Sequence, residues 1–483
     1  MKYLFVKRSL FTLASLLSAL VLLLCGAIWA GQAGPSRDLP PVINGTALAI
    51  DNVSIVNVRT LTVKPDQQLR LRDGHIEAIL PAGSTVPAGY QRVEGNHAYV
   101  TPGLMDMHTH IYDRKDLVIT LAHGVTTVRN LRGMPMHLRW RQELENKQWL
   151  GARMLTSSPV FDRPELAHAL QQAVRNPEQA RDLVRHFKAE GYDSLKLYND
   201  LEPAVFEAIL DEAAKRAIPV VKHGPYAVVS DTLSGLKLEK LNGVQSVEHV
   251  EDIFQTVLNF EFGLEKLDAY LRQLANTDVY LTPTLATFDH LTQLSVHKEA
   301  FVEQLPLDQF NPFFRTLNEH FAIERWLTAS QKLADWNLRE RELLLRIAKR
   351  AADLQVKLLV GSDQGTMYMP AGSSTHHEMA LMQEAGIAAG QVLQAATINA
   401  ATALQLSHEL GTVDVGKRAD LVLLANNPLL DVEHFRQPVA VVKSGQWLNR
   451  AQLAKLIHTS PPPQHWFPSF GRFLEDQLSR AFL

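Results

Sequence analysis

His108 and His110 close the run Leu104-Met105-Asp106-Met107 and stand one residue apart. On an extended strand, residues two apart point the same way. Both imidazoles then face one point. Neutral imidazole nitrogen is a good donor to Zn²⁺ and its neighbours. A pair at this spacing also arises by chance, so its meaning depends on what else meets it. Four more ligand-type side chains stand at or near the ends of short apolar runs. Lys196 lies between Leu195 and Leu197, and His223 follows Val220-Val221-Lys222. His249 follows Ser246-Val247-Glu248, and Asp363 follows Leu358 to Ser362. A lone histidine there is usually structural, and a lone aspartate often caps a helix. Five strand ends carrying such residues point to one metal-binding site.

The elements that must position them alternate along the middle of the chain. Candidate strands are 105–110, 126–129, 153–157, 194–197, 220–223, 246–249, 279–282 and 358–363, with helical patterns such as 203–216 and 334–354 between them. Eight strands with intervening helices suggest a (β/α)₈ TIM barrel over 101–406. Barrel enzymes gather their active sites at the C-terminal ends of the strands, where these candidates lie. The segment 290–339 is longer than one crossover needs and is expected as an insertion beside the barrel mouth.

Two strand-like regions flank this middle, at 43–100 and 407–450. Asp73-Gly74 and Ser444-Gly445 sit between alternating runs, a hairpin signal. The expectation is one small β-sandwich domain built from both chain ends.

At this point the sequence resembles the amidohydrolase superfamily. Val100 to His110, with its Pro-Gly-Leu-Met-Asp-Met-His-Thr-His, looks like that family's opening signature. Ala122 to Arg129 resembles its second strand. Thr397 to Ala401, Gly411-Thr412-Val413 and Gly416 to Val422 resemble its return into the sheet domain. Imidazolonepropionase-like and Xaa-Pro dipeptidase-like members look most similar, through Lys196-Leu197-Tyr198 and His376-His377-Glu378.

The resemblance implies two divalent metal ions, with zinc as the default. His108, His110 and Asp363 would hold one and His223 and His249 the other, with carboxylated Lys196 bridging them. It also implies a metal-bridging hydroxide as nucleophile, with Asp363 as catalytic base and then acid. The expected reaction is hydrolysis of an amide, cyclic amide or Xaa-Pro bond in a small molecule or dipeptide. A phosphotriester or lactone hydrolase, a deaminase, or a membrane-tethered binding protein with a degenerate site are the alternatives. Tyr198, Tyr226 and His376 are candidate substrate contacts, and Arg129 and Arg132 candidates for a carboxylate. Similar sequences often read His-Ala or His-Val where this chain has His223-Gly224.

Composition narrows the rest. The 483 residues carry a formal charge of −3, which points away from nucleic acid as a partner. The single cysteine, Cys25, lies in the apolar N-terminal run, so no thiolate metal site or disulfide framework serves the body. Lys2, Lys7 and Arg8 precede the apolar residues 10–30, and a polar linker, 31–42, follows. Residues 1–30 read as a signal peptide or membrane anchor, with the body exported to the periplasm. Cleavage would fall near Ala30 or Ala33. Leu24 before Cys25 argues against lipidation. The tail 451–483 carries Trp466, Phe467, Phe470 and Phe473 ahead of a short amphipathic helix. It is expected to pack on its own domain, with a membrane-surface or homo-oligomer contact as the alternative.

Overall fold

The computed structural model describes the chain except residues 1, 44, 46, 225–240, 242, 460–464 and 482. Seven parallel strands form the barrel wall: Leu104–Thr109, Val125–Asn130, Arg153–Asp162, Ser194–Leu197, Val220–His223, Val244–Glu248 and Tyr280–Thr282. They pair in chain order. Their side chains are almost all buried, as expected when helices cover the outside.

The eighth strand expected at 358–363 is extended chain rather than a regular ladder. Leu359 N–H donates to Leu281 O at 2.9 Å, Met107 N–H to Val360 O at 2.8 Å, and Asp363 N–H to His108 O at 2.7 Å. Single bridges pair Leu281 with Leu358 and Thr109 with Gln364. This segment therefore closes the barrel between the seventh and first strands. Its irregularity has two local causes. A Cβ on Gly361 would lie 2.3 Å from Thr282 Cγ2, so the chain approaches its neighbour too closely for a side chain. Asp363 itself has φ +60°, outside the strand region.

The sheet domain is one hydrogen-bonded sheet of eight strands, seven in one path and Gln91–Glu94 branching from it. Ala47–Asn57 is central, paired with Thr62–Arg72, Tyr99–Pro102 and Gln91–Glu94. Leu421–Leu424 returns antiparallel to Tyr99–Pro102, and Ala440–Lys443 and Gln446–Asn449 extend the path. Both anticipated hairpins form. Asp73 and Gly74 adopt φ +50° and +82°, and Ser444 and Gly445 +50° and +80°, the left-handed pair that matches strand twist. Leu48, Ile50, Leu69, Val100, Leu421 and Val442 share one apolar core. Lys443 ties this sheet to the barrel, donating to Asp420 at 2.7 Å and to Thr126 O at 3.0 Å.

The segment between the seventh and eighth strands rises over the barrel mouth. It contains helices Leu285–Val302, Pro312–Asn318 and Glu324–Leu327 before the long helix Gln331–Asp353. At the chain ends, helix Lys2–Gly31 packs on helix Trp466–Arg480.

Candidate metal centre and substrate pocket

Three imidazoles are oriented by acceptors that differ in kind. His108 Nδ1 lies 2.8 Å from Glu248 Oε2. His223 Nδ1 lies 2.5 Å from Asp252 Oδ2. An ionised carboxylate only accepts, so Nδ1 carries the proton in both. His249 Nδ1 lies 2.6 Å from Thr284 Oγ1, whose own O–H donates to Pro283 O at 2.8 Å. That hydroxyl therefore accepts from His249. In all three rings the Nε2 lone pair is left for a ligand, the tautomer that metal-binding histidines need. The rings cluster, with centroids of His223 and His249 at 4.2 Å and of His108 and His249 at 4.7 Å.

His110 and Asp363 complete one side. His110 Nε2 is 2.8 Å and His108 Nε2 3.5 Å from Asp363 Oδ1. Ligand atoms of these three residues lie within 4.8 Å of one another, a spacing compatible with one cation at bond lengths of about 2.0–2.2 Å. Thr287 Oγ1 donates to Asp363 Oδ2 at 3.0 Å and fixes its other oxygen.

Burial sets the charge states. It pushes His108 well below the usual histidine range and His249 down to about 3, so both are neutral at pH 7. Burial alone would raise the Asp363 carboxyl, but His108 and His110 outweigh it and hold it far below the usual carboxylate range. Lys196 is 1% exposed, and burial lowers it to about 8. Among the described residues its Nζ meets no hydrogen-bond partner. A buried amine without an acceptor is costly as an ammonium. An unprotonated amine is the form that carbon dioxide converts to a carbamate, so the donor set fits the metal-bridging role.

Glu248 and Asp106, which stand behind the candidate ligands, were not singled out in the sequence. Glu248 accepts from Arg129 Nη2 at 2.9 Å and from Ser246 Oγ. Arg129 also donates to Met107 O and Gln245, at 2.7 and 2.8 Å. Arg129 is thus spent on the barrel interior, which corrects the expectation of a carboxylate contact. Asp106 accepts from Ser362 N–H and His108 N–H, at 3.0 and 3.1 Å, and from the hydroxyls of Ser362 and Thr375 at 2.6 Å. It locks the first strand to the segment bearing Asp363. The one available signal was spacing: Glu248 precedes His249, and Asp106 sits two before His108.

Gly224 explains a departure noted in the sequence. A Cβ there would lie 2.0 Å from Asp252 Cβ. Gly224 N–H also donates to Asp252 Oδ2 at 2.7 Å. The glycine lets Asp252 reach His223.

These side chains open into a cavity of about 590 Å³, within the range of small-molecule sites. His108, His110, Lys196, His223, His249 and Asp363 line one end. Tyr198 lines it too, edge-on to His223 at 4.6 Å. Arg132 enters beside them and donates to Tyr112 Oη at 2.9 Å. Its Nε has no acceptor among the described residues. The segment over the mouth adds Leu291, Phe314, Leu317 and Trp326, together with the polar Asn318 and Arg325, and the C-terminal helix adds Phe473. The expected insertion therefore forms the roof. His376 does not reach the cavity. It is 3% exposed, and its Nε2 lies 2.8 Å from His123 O. His376 sits on helix Ser373–Glu384, which packs its ring under the barrel helix ending at Ala122. Tyr226 lies outside the described residues.

A model of the Amidohydrolase family matches residues 99–448. The chain belongs to the amidohydrolase family. It is a hydrolase of carbon–nitrogen bonds. Solved structures agree with the fold. The bottromycin amidohydrolase is 26% identical with a TM-score of 0.68, covering 91% of this chain and 94% of that one. A Bifidobacterium longum protein assigned as a prolidase is 23% identical with a TM-score of 0.66, covering 91% and 100%. A Xaa-Pro dipeptidase with methionine bound in its active site is 17% identical with a TM-score of 0.63, covering 84% and 100%.

Proposed function

We propose that this amidohydrolase is metal-dependent and cleaves an amide, cyclic amide or Xaa-Pro bond in a small substrate bearing a carboxylate. The observation that carries the reading is the convergence of His108, His110, Lys196, His223, His249 and Asp363 on one end of one cavity. His108, His110 and Asp363 would hold one cation and His223 and His249 a second, with carboxylated Lys196 between them. Zinc suits imidazole and carboxylate donors. Divalent cations held there would activate a water for attack at neutral pH and polarise the substrate carbonyl.

The chain's own residues do the rest. The Asp363 carboxylate takes the proton from the attacking oxygen and returns it to the leaving nitrogen. Thr287 donates to one oxygen of this carboxylate and fixes its orientation. The Arg132 guanidinium, with Nε unpaired, binds the substrate carboxylate. Leu291, Phe314 and Trp326 exclude water from the other end and favour an apolar side group. Bottromycin amidohydrolase and prolidase neighbours support this substrate class. The basic residues ahead of the apolar N-terminal helix support an exported body.

The test is metal analysis after reconstitution with zinc and bicarbonate, followed by a screen of dipeptides, N-acyl amino acids, cyclic amides and esters. About two metals per chain and turnover of a carboxylate-bearing amide are expected. A reconstituted protein that binds no divalent metal, or that turns over only esters, overturns the reading. Asp363→Asn should keep the fold and lose turnover by orders of magnitude.

A further inference from the structure

We infer that the N-terminal helix is a permanent membrane anchor, clamped to the body by the C-terminal helix, rather than a signal removed on export. The two helices meet at small residues. A Cβ on Gly471 would lie 1.8 Å from Ala27 O, and a Cβ on Gly31 would lie 2.8 Å from Arg472 N and 2.9 Å from Pro468 O. Ala27 and Gly31 are four apart on one helix face, the small-xxx-small pattern that lets helix backbones touch. Ala27 is fully buried.

The contact also terminates the N-terminal helix. Carbonyls in a helix's last turn lack intrahelical donors and carry partial negative charge. Arg472 Nε donates to Gly31 O at 3.0 Å. Arg114 Nη2 donates to Ala33 O at 3.1 Å while pairing with Glu143. Gln32 donates to Glu475 at 2.9 Å, and Glu475 holds Arg139 through both oxygens, at 2.7 and 2.8 Å. Arg472 is 1% exposed, with its guanidinium 5.2 Å from the Trp140 ring. The expected cleavage site near Ala30 thus lies beside the buried, packed Gly31, and the one near Ala33 is exposed but tied through its carbonyl to Arg114. A peptidase would need that segment extended and free.

The rest of the helix suits one occupant, a lipid bilayer. Ala14–Gly31 has a mean hydropathy of 2.1, and 11% of it is buried against the protein. Leu16, Leu17, Leu20, Val21, Leu22 and Leu23 are all exposed, so the helix is apolar on every side and not along one stripe. At about 1.5 Å per residue the apolar residues 10–30 reach about 32 Å, matching a hydrocarbon core of about 30 Å. Trp29, Trp466 and Phe467 are exposed around the junction, as aromatic residues are at a bilayer surface. Phe473, one residue beyond the clamp, lines the substrate cavity. The helix that clamps the anchor therefore also supplies part of the pocket wall.

The experiment uses the full chain expressed in a bacterial host. Intact mass should retain residues 1–31, and the protein should stay with membranes after an alkaline carbonate wash. A mature chain starting between residues 31 and 42 and recovered in the soluble exported fraction overturns the inference. A substitution on the anchor side separates clamping from mere tethering. Ala27→Leu should lower the Tm of the detergent-solubilised protein by about 2 °C or more, since overpacking a tight contact is destabilising. In a cleaved or loosely tethered protein that residue touches nothing in the body. An unchanged Tm overturns the clamp.

Discussion

Glu248 and His108, 140 positions apart, meet at 2.8 Å in the centre of the barrel, and Arg129 holds the other Glu248 oxygen at 2.9 Å. The carboxylate is fully buried, so it both fixes the ring tautomer and neutralises a buried guanidinium. Glu248→Gln should weaken metal affinity about 10–100-fold, as loss of such orienting partners does. It should also cost about 3–5 kcal/mol of stability through the unpaired Arg129. Zinc titration and denaturant unfolding measure the two effects separately. Unchanged affinity would remove the orienting role.

Gly224→Ala tests a steric requirement. The new Cβ would overlap Asp252, whose contact fixes His223. Turnover should fall at least about tenfold, with a stability loss of about 1–3 kcal/mol. Isothermal zinc binding should show one of two sites weakened. A variant with two intact sites and normal rate would show that the position tolerates a side chain.

Arg132→Lys keeps the charge and removes the planar fork. For carboxylate-bearing substrates KM should rise about tenfold or more with kcat little changed. For a matched substrate with an amidated terminus, wild type and variant should be alike. Equal KM changes for both substrates would argue against a carboxylate contact.

The pH dependence of stability has an identifiable source in Glu378. It accepts from Ala286 N–H at 2.7 Å at the start of the roof helix, yet burial pushes its carboxyl up to about 8. A raised acid binds its proton more tightly when folded. Its favourable contribution is complete below about pH 4.5 and shrinks as the unfolded chain ionises, until it is gone above about pH 8. Glu378→Gln is neutral throughout. The Tm of the variant relative to wild type should therefore rise between pH 5 and pH 8, measured by calorimetry. A constant difference across that range would show Glu378 ionised in the fold.

The convergence of the candidate residues on one cavity was legible because a parallel barrel presents strand ends on one side, and residues such as His108 and His110 alternate with fixed period. The hairpins at Asp73-Gly74 and Ser444-Gly445 were legible because their turn type demands those residues. The supporting shell was not. Glu248, Asp252 and Thr284 serve histidines through contacts that only the closed barrel creates. Arg129 carried the right chemistry for a substrate carboxylate, but its strand aims it at Glu248 inside the barrel. His376 sat near Asp363 in sequence, and its helix turned it away to His123. The eighth strand was expected from its apolar run. Gly361 and the positive φ of Asp363 keep it from being a regular one.

The roof over the cavity comes largely from one crossover, between the seventh strand and the closing segment. Leu291, Phe314, Leu317 and Trp326 all lie within it, whereas the candidate ligands lie outside it. The residues proposed to cleave the bond and most of those forming the apolar part of the pocket are therefore written in different stretches of chain. Exchanging residues 291–327 for another sequence would re-address the enzyme to a new molecule while the machinery for bond cleavage stays in place, which makes this crossover the natural unit for redesign.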